Sequence, residues 1–239
     1  MKHTFLAVTA AAVVTSLVIS LSSCVVVSRS DSEEATAQGV VSRSFGVGHF
    51  TEIDASGEGD LILEMADHDS VWVEARPENL KTCDVWTENG TLYVRHSKHV
   101  NTFLTQGAAS KCVVHVLTDS IRAIALSGAM DLNVPFVLST DTLRLQAQGA
   151  SDAKLTDLRC QEFRVRMQGA SDVKAEMSNV PLVLLDLTGA CDARFTFNKC
   201  GILRCQANGA STARLSGTLK SIEAQVTGGS DIKNHTTEW

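Results

Sequence analysis

Apolar and polar residues alternate with period two along most of this chain, and glycine interrupts the alternation at near-constant intervals. Leu143, Leu145 and Ala147 are interleaved with Arg144 and Gln146, and Phe163, Val165 and Met167 with Arg164 and Arg166. Val183, Leu185 and Leu187 flank Asp186, and Leu203, Cys205 and Ala207 flank Arg204 and Gln206. Successive side chains of a strand point to opposite sides, so each stretch predicts a strand with one apolar side. A glycine-centred octet follows each strand: SGAMDLNV (127–134), QGASDAKL (148–155), QGASDVKA (168–175), TGACDARF (188–195), NGASTARL (208–215) and TGGSDIKN (227–234). Gly128, Gly149, Gly169, Gly189, Gly209 and Gly228 are thus spaced by 21, 20, 20, 20 and 19 residues. After each glycine comes a second short alternation, such as Ala153 with Leu155 and Val173 with Ala175. No helical stretch of about 10–12 residues fits inside the repeat, and the columns of a leucine-rich repeat are absent. The pattern predicts an all-β, β-helix-like solenoid with about 20 residues per rung, in which each rung buries its apolar side by stacking on the next.

The glycine column marks a sharp corner between the two strands of a rung, structural turns where a left-handed or closely approached backbone is needed. The small polar residues after it can bond local backbone. Gln148, Gln168 and Asn208 form an outward column in which amides could stack. Asp152, Asp172, Asp192 and Asp231 form another, beside Lys154, Lys174, Arg194, Arg214 and Lys233. Rungs stack about 4.8 Å apart, so two columns of opposite sign offset the self-repulsion of each.

The first segment has a different character. Lys2 and His3 precede an apolar run from Phe5 to Leu21, which ends in Leu21-Ser22-Ser23-Cys24. The run is short for a membrane span, which needs about 20 residues. It resembles a bacterial lipoprotein signal with its lipobox, which implies cleavage after residue 23, lipidation of Cys24 and attachment to the outer membrane, on its periplasmic or its surface face. Residues 24–44 are rich in Ser, Asp and Glu and read as a flexible tether. The domain assignment is therefore signal peptide 1–23, tether 24–44 and solenoid 45–239.

A net charge of −6 argues against a nucleic-acid partner, because no unpaired basic patch is evident to contact phosphates. Six cysteines remain besides Cys24 among the seven in the chain. Cys160 and Cys200 share a column two rungs apart, roughly 9.6 Å, beyond the ~7 Å Cα reach of a disulfide. Cys191 stands in a column of Ser151, Ser171 and Ser211, and Cys205 in one of Leu145, Val165 and Leu185, as small fillers. Whether Cys83 and Cys112 pair is left open.

The N-terminal part is also β-rich. It holds a degenerate octet, SGEGDLIL (56–63), and a hairpin signal at Glu88-Asn89-Gly90. His96 and His99 near a strand end read as a solvated loop rather than a metal site. The Asp column is straight and interleaved with cations, unlike the convergent carboxylates of a metal site or a glycosidase. No catalytic residues, metal ligands or cofactors are assigned. Aromatics are 5% of the chain, and Trp72, Trp86 and Tyr93 are the candidates for a ligand surface, with a cap over the first rung as the plainer role.

Taken together, the lead-in Phe50-x-x-Ile53-x-x-Ser56-Gly57, the segment Glu88-Asn89-Gly90-x-Leu92 and the reiterated L-x-x-x-G-A-S-D resemble the head GIN domain family of putative auto-transporter adhesins. The resemblance runs from about Phe45 to Trp239. It implies a β-solenoid and an envelope location, and carries over no catalytic residues. The resulting expectation is a lipid-anchored, non-enzymatic adhesion or binding module. Its ligand would be a surface molecule, a glycan or another protein. Two alternatives stand beside it: a β-helix carbohydrate-active enzyme, and a structural scaffold that associates with itself as a homo-oligomer.

Overall fold

The computed structural model describes the strand Glu33–Ala35 and residues 39–97 and 112–239. The chain divides into two units, Met1–Ser30 and Asp31–Trp239, and all described residues lie in the second. The expected signal peptide and Cys24 lie outside the described residues.

In chain order the elements are β1 (Glu33–Ala35), β2 (Val41–Phe45), β3 (Glu52–Met65), β4 (Ser70–Ala75), α1 (Pro77–Leu80), β5 (Cys83–Glu88), β6 (Thr91–His96), β7 (Val113–Thr118) and β8 (Ala123–Ser139). There follow β9 (Thr142–Gly149), β10 (Asp152–Arg159), β11 (Glu162–Gly169), β12 (Asp172–Ser178), β13 (Leu182–Gly189), β14 (Asp192–Gly209), β15 (Thr212–Val226) and β16 (Asp231–Thr237). They form a β-solenoid of about 6 turns with roughly 20 residues per turn, as the alternation predicts.

Each rung has two strands, one before and one after the glycine, so the stack has two faces. Face one runs β5, β6, the first half of β3, the first half of β8, β9, β11, β13 and the second halves of β14 and β15. Face two runs β2, β4, β7, the second halves of β3 and β8, β10, β12, the first halves of β14 and β15, and β16. From β3 with β6 and β7 through to β16 stacking is parallel, with Gly169 between Gly149 and Gly189 and Asp172 between Asp152 and Asp192, whereas β2–β4, β4–β7 and β5–β6 pair antiparallel.

Inward residues of the two faces meet in one core. Phe163 on β11 packs on Phe195 of β14 with ring centroids 6.0 Å apart, and Phe197 meets Phe195 edge-on at 6.1 Å. Leu143, Leu145, Leu155 and Leu158 are fully buried; burial of one such side chain contributes about 1.5–3 kcal/mol.

Ser151, Ser171 and Ser211 are buried just past the corner, and each hydroxyl donates to backbone. Ser211 Oγ reaches Gly189 O at 3.1 Å and Asn208 O at 3.4 Å. Cys191 fills the same slot, its thiol facing Gly169 O at 3.7 Å and Thr188 O at 3.6 Å. Side chain–backbone bonds thus satisfy the polar corner in every one of these rungs. The expected amide column is in register, but Thr188 interrupts it and Asn208 accepts from Thr227 instead of a second amide.

Two features depart from the expectations. The end of the presumed tether is folded: Val41–Phe45 pairs antiparallel with β4, and Glu33–Ala35 pairs with β2. The polar composition of 24–44 hid two short strands that extend face two at its N-terminal end. The rung order also differs from chain order. β3 lies between β8 on one side and β6 with β7 on the other, so the chain passes from β7 over a rung already in place. At this N-terminal end β4, α1 and β5 lead from face two to face one, with Leu80 of α1 buried.

Candidate functional site

Face one carries two outward columns that strand parity and register dictate. One reads Thr91, Glu52, Ala123, Arg144, Arg164, Leu184, Arg204 and Glu223. Its neighbour, two residues on, reads Trp86, Tyr93, Asp54, Ala125, Gln146, Arg166, Asp186, Gln206 and Gln225. Large side chains flank small ones, and two open hollows result. One, of about 330 Å³, lies over Ala123 and Ala125 between Tyr93 and Arg144. The other, of about 420 Å³, is floored by Leu184 and walled by Arg144, Arg164, Arg166 and Arg204. Arg144 and Gln146 line both, so the two adjoin along the stack.

The aromatic end is built from the β5–β6 hairpin. Its turn has Asn89 at φ 50 and Gly90 at φ 77, the two positive values of a type I′ turn, as the Asn-Gly pair predicts. Trp86 stacks on Tyr93 at 5.1 Å and 15°. The Arg95 guanidinium lies 5.2 Å from the Tyr93 ring and 5.8 Å from Trp86, and its Nη1 donates to Asp54 O at 2.6 Å. Such a layered arrangement fixes the rings and leaves Trp86 40% exposed.

Several carboxylates on this face are tied to guanidinium groups. Glu52 pairs with Arg122 at 2.9 Å and Arg144 at 3.7 Å, Asp186 with Arg166 at 3.3 Å, Glu223 with Arg204 at 2.8 Å, and Glu162 with Arg164. The face therefore offers planar hydrogen-bonding groups, amides and one aromatic platform. Glycosidases use a carboxyl pair across a cleft with one acid set apart from its partner's charge, a different arrangement.

Trp72 does not join Trp86 and Tyr93. It projects from face two, stacked on His115 at 4.6 Å and 3°. The Asp and Lys columns of face two are in register as expected. Arg194 pairs with Asp192 at 2.8 Å and with Asp172 at 3.9 Å, whereas Lys174 turns to Glu176 at 3.6 Å. His96 is not in a solvated loop: it is half-buried, and its Nδ1 meets Glu58 O at 2.5 Å. His99 lies outside the described residues. Among the described residues, ligand atoms of His49, Asp69 and Asp119 lie within 4.8 Å of one another. Two of these atoms, His49 Nδ1 and Asp69 Oδ2, already hydrogen-bond each other at 2.8 Å.

The groove of face one was not assembled by sequence reading. Its arginines and Asp186 were visible as outward positions, but joining them to Trp86 and Tyr93 requires β6 to stack under β3 and β3 under β8. The available signal was the degenerate octet at 56–63, whose Gly57 stacks on Gly128.

The chain matches the family described as "Putative auto-transporter adhesin, head GIN domain" over residues 49–236. No curated protein matches it. Three solved structures share the fold. A putative adhesin from Bacteroides fragilis has a TM-score of 0.65 at 18% identity, covering 83% of this chain and 98% of its own. A putative adhesin from Parabacteroides distasonis has a TM-score of 0.57 at 15% identity, covering 83% and 96%. A putative lipid binding protein from the same species has a TM-score of 0.54 at 8% identity, covering 84% and 96%.

Proposed function

The chain belongs to the head GIN domain family of putative auto-transporter adhesins, and from that premise we propose that it is a non-enzymatic adhesion module of the cell envelope whose contact surface is face one. The single observation that carries this reading is the pair of adjoining hollows that runs along face one from Tyr93 to Arg204. The occupant that suits it is an extended polar chain such as a glycan. Aromatic rings take the apolar side of a sugar, and fixed amides and ion-paired guanidinium groups take its hydroxyls. Residues that recur once per rung present the same chemistry repeatedly along the stack, which suits a repeating ligand. Purified chain applied to a panel of glycan-coated and matrix-protein-coated surfaces should bind a glycan saturably and release it uncut on washing. Binding confined to protein-coated wells, or appearance of shortened glycan, would overturn this reading.

The lipobox at residues 21–24 supports attachment through the lipid on Cys24, with the segment before Glu33 holding the solenoid off the membrane. No helix among the described residues is long and apolar enough to cross a membrane. Cys24→Ala should leave the chain unlipidated, and either uncleaved or released from the membrane fraction. Fractionation that recovers the variant as fully processed and as membrane-bound as the wild type would contradict the anchor.

A further inference from the structure

The last rung at the N-terminal end is closed differently from the others. From Gly149 onward a Gly-x-Ser corner, or its Cys191 variant, joins the two faces, and Met130 fills the serine slot after Gly128. Beneath the Gly57–Gly59 corner of β3, the corresponding positions belong to His96, the last residue of β6, and Cys112, which leads into β7. A Cβ on Gly57 would lie 1.8 Å from His96 O, and one on Gly59 would lie 2.7 Å from Cys112 O. Asp60 N donates to Cys112 O at 2.8 Å, and His96 Nδ1 meets Glu58 O at 2.5 Å. Cys83, the first residue of β5, pairs directly opposite His96 across the hairpin. Cys112 Sγ lies 3.9 Å from Asn79 O of α1, four residues before Cys83. Cys83 is 3% exposed and Cys112 1%. α1, the start of β5, the end of β6 and the start of β7 thus converge on two buried thiols.

We propose that Cys83 and Cys112 form a disulfide that closes the N-terminal end of the solenoid. The inference rests in part on the envelope location, because oxidising compartments allow structural disulfides to persist. Three further observations support it. The two thiols interact directly: this contact is the main cause that holds Cys112 below the ordinary thiol range and pushes Cys83 above it. His96 is raised by its bond to Cys112, so it supports the thiolate. Cys160, Cys200 and Cys205 show the opposite environment, with thiols pushed up by burial, to about 12 for Cys160 and about 11 for Cys205. The thiolate is the nucleophile of disulfide exchange, so Cys112 is the attacking sulfur and Cys83 the resolving one.

The chemistry needs an external disulfide, either of an envelope thiol oxidoreductase or glutathione disulfide. Cys112 S⁻ attacks one of its sulfurs, forming a mixed disulfide and expelling a thiolate. Cys83 then loses its proton and attacks Cys112 Sγ, expelling the second thiolate. The two cysteines lose two electrons and two protons together, and the donor becomes two thiols. Both sulfurs are buried once the end is closed, so the exchange runs while α1 is lifted away, with β5 already paired to β6 and the Cys83–Cys112 contact in place. At the end of a stack no further rung holds the two faces together, and a covalent link takes that place.

The test is peptide mapping by mass spectrometry, without reduction, of the detergent-solubilised full chain. Free thiols are first blocked in the intact cells. A second sample is refolded in a glutathione/glutathione disulfide buffer. Both samples should yield one cross-linked pair of peptides carrying Cys83 and Cys112, and Cys83→Ser should turn Cys112 into an alkylated thiol. Reductant should lower the Tm by roughly 5–10 °C in the wild type and leave a Cys83→Ser/Cys112→Ser variant unmoved. A pair that is reduced in cells but linked on refolding would support the bond and count against the envelope location. Cys83 and Cys112 both alkylated after refolding, or linked to other cysteines, would overturn the inference.

Discussion

Gly169→Val should unfold the solenoid or lower its stability by about 3 kcal/mol or more. Gly169 has φ +96, a conformation that β-branched residues rarely adopt. Space is refused as well: a Cβ at this position would sit 2.5 Å from Gly149 O, a backbone atom of the neighbouring rung. That carbonyl accepts from Ala170 N at 2.8 Å, so it cannot move without breaking the ladder that joins two rungs. Lys174→Ala, five residues on, removes a half-exposed ion pair to Glu176 at 3.6 Å and should cost under about 1 kcal/mol. Thermal melts followed by circular dichroism compare the two directly. A lysine change as damaging as the glycine change would mean that the corner does not hold the rungs together.

The second large effect is expected in the core. Phe195→Ala should cost about 3–5 kcal/mol. Its ring is 1% exposed and lies between Phe163 of the opposite face and Phe197 of its own strand. In a solenoid the inner space is narrow and shared by consecutive rungs, so the surrounding strands cannot collapse without losing register. Phe136→Ala is the control of equal chemistry, since Phe136 is 62% exposed and should change stability by no more than about 0.5 kcal/mol. Urea titration gives both values from the midpoint and slope. Equal losses for the two phenylalanines would contradict the assignment of inner and outer sides.

What could be read in the sequence depended on whether the stacking partners were neighbours in the chain. From Gly128 to Gly228 each rung lies on the one before it, so a period near 20 residues fixed the strands, their inner sides, the corner and the register of the Asp and Lys columns. Ser151 and Cys191 could even be recognised as equivalents. Before Gly128 the partners are distant. Ile53 lies opposite Ile124 on one side and Leu92 on the other, and no local period announces either pairing. Parity sets Trp72 opposite Val71 and Val73, and so outward. It could not show that β4 lies on face two while β5 and β6 lie on face one, which separates Trp72 from the others. The groove was hidden for the same reason, because it is assembled from rungs out of chain order. β2 was missed because a five-residue strand among serines carries too few apolar positions to signal a sheet.

The assignment of face one as the contact surface is tested most directly by loading each face in turn with changes that leave the core untouched. One variant carries Trp86→Ala, Arg164→Glu and Leu184→Glu on face one, and the other carries Trp72→Ala, Lys154→Glu and Lys174→Glu on face two. Both should keep a β-rich circular dichroism spectrum. Adhesion of beads bearing each protein to the glycan surface bound by the wild type should fall at least about tenfold for the first, a loss of about 1.4 kcal/mol, and stay within about twofold for the second. Adhesion lost only in the face-two variant, or kept in both, would contradict the account.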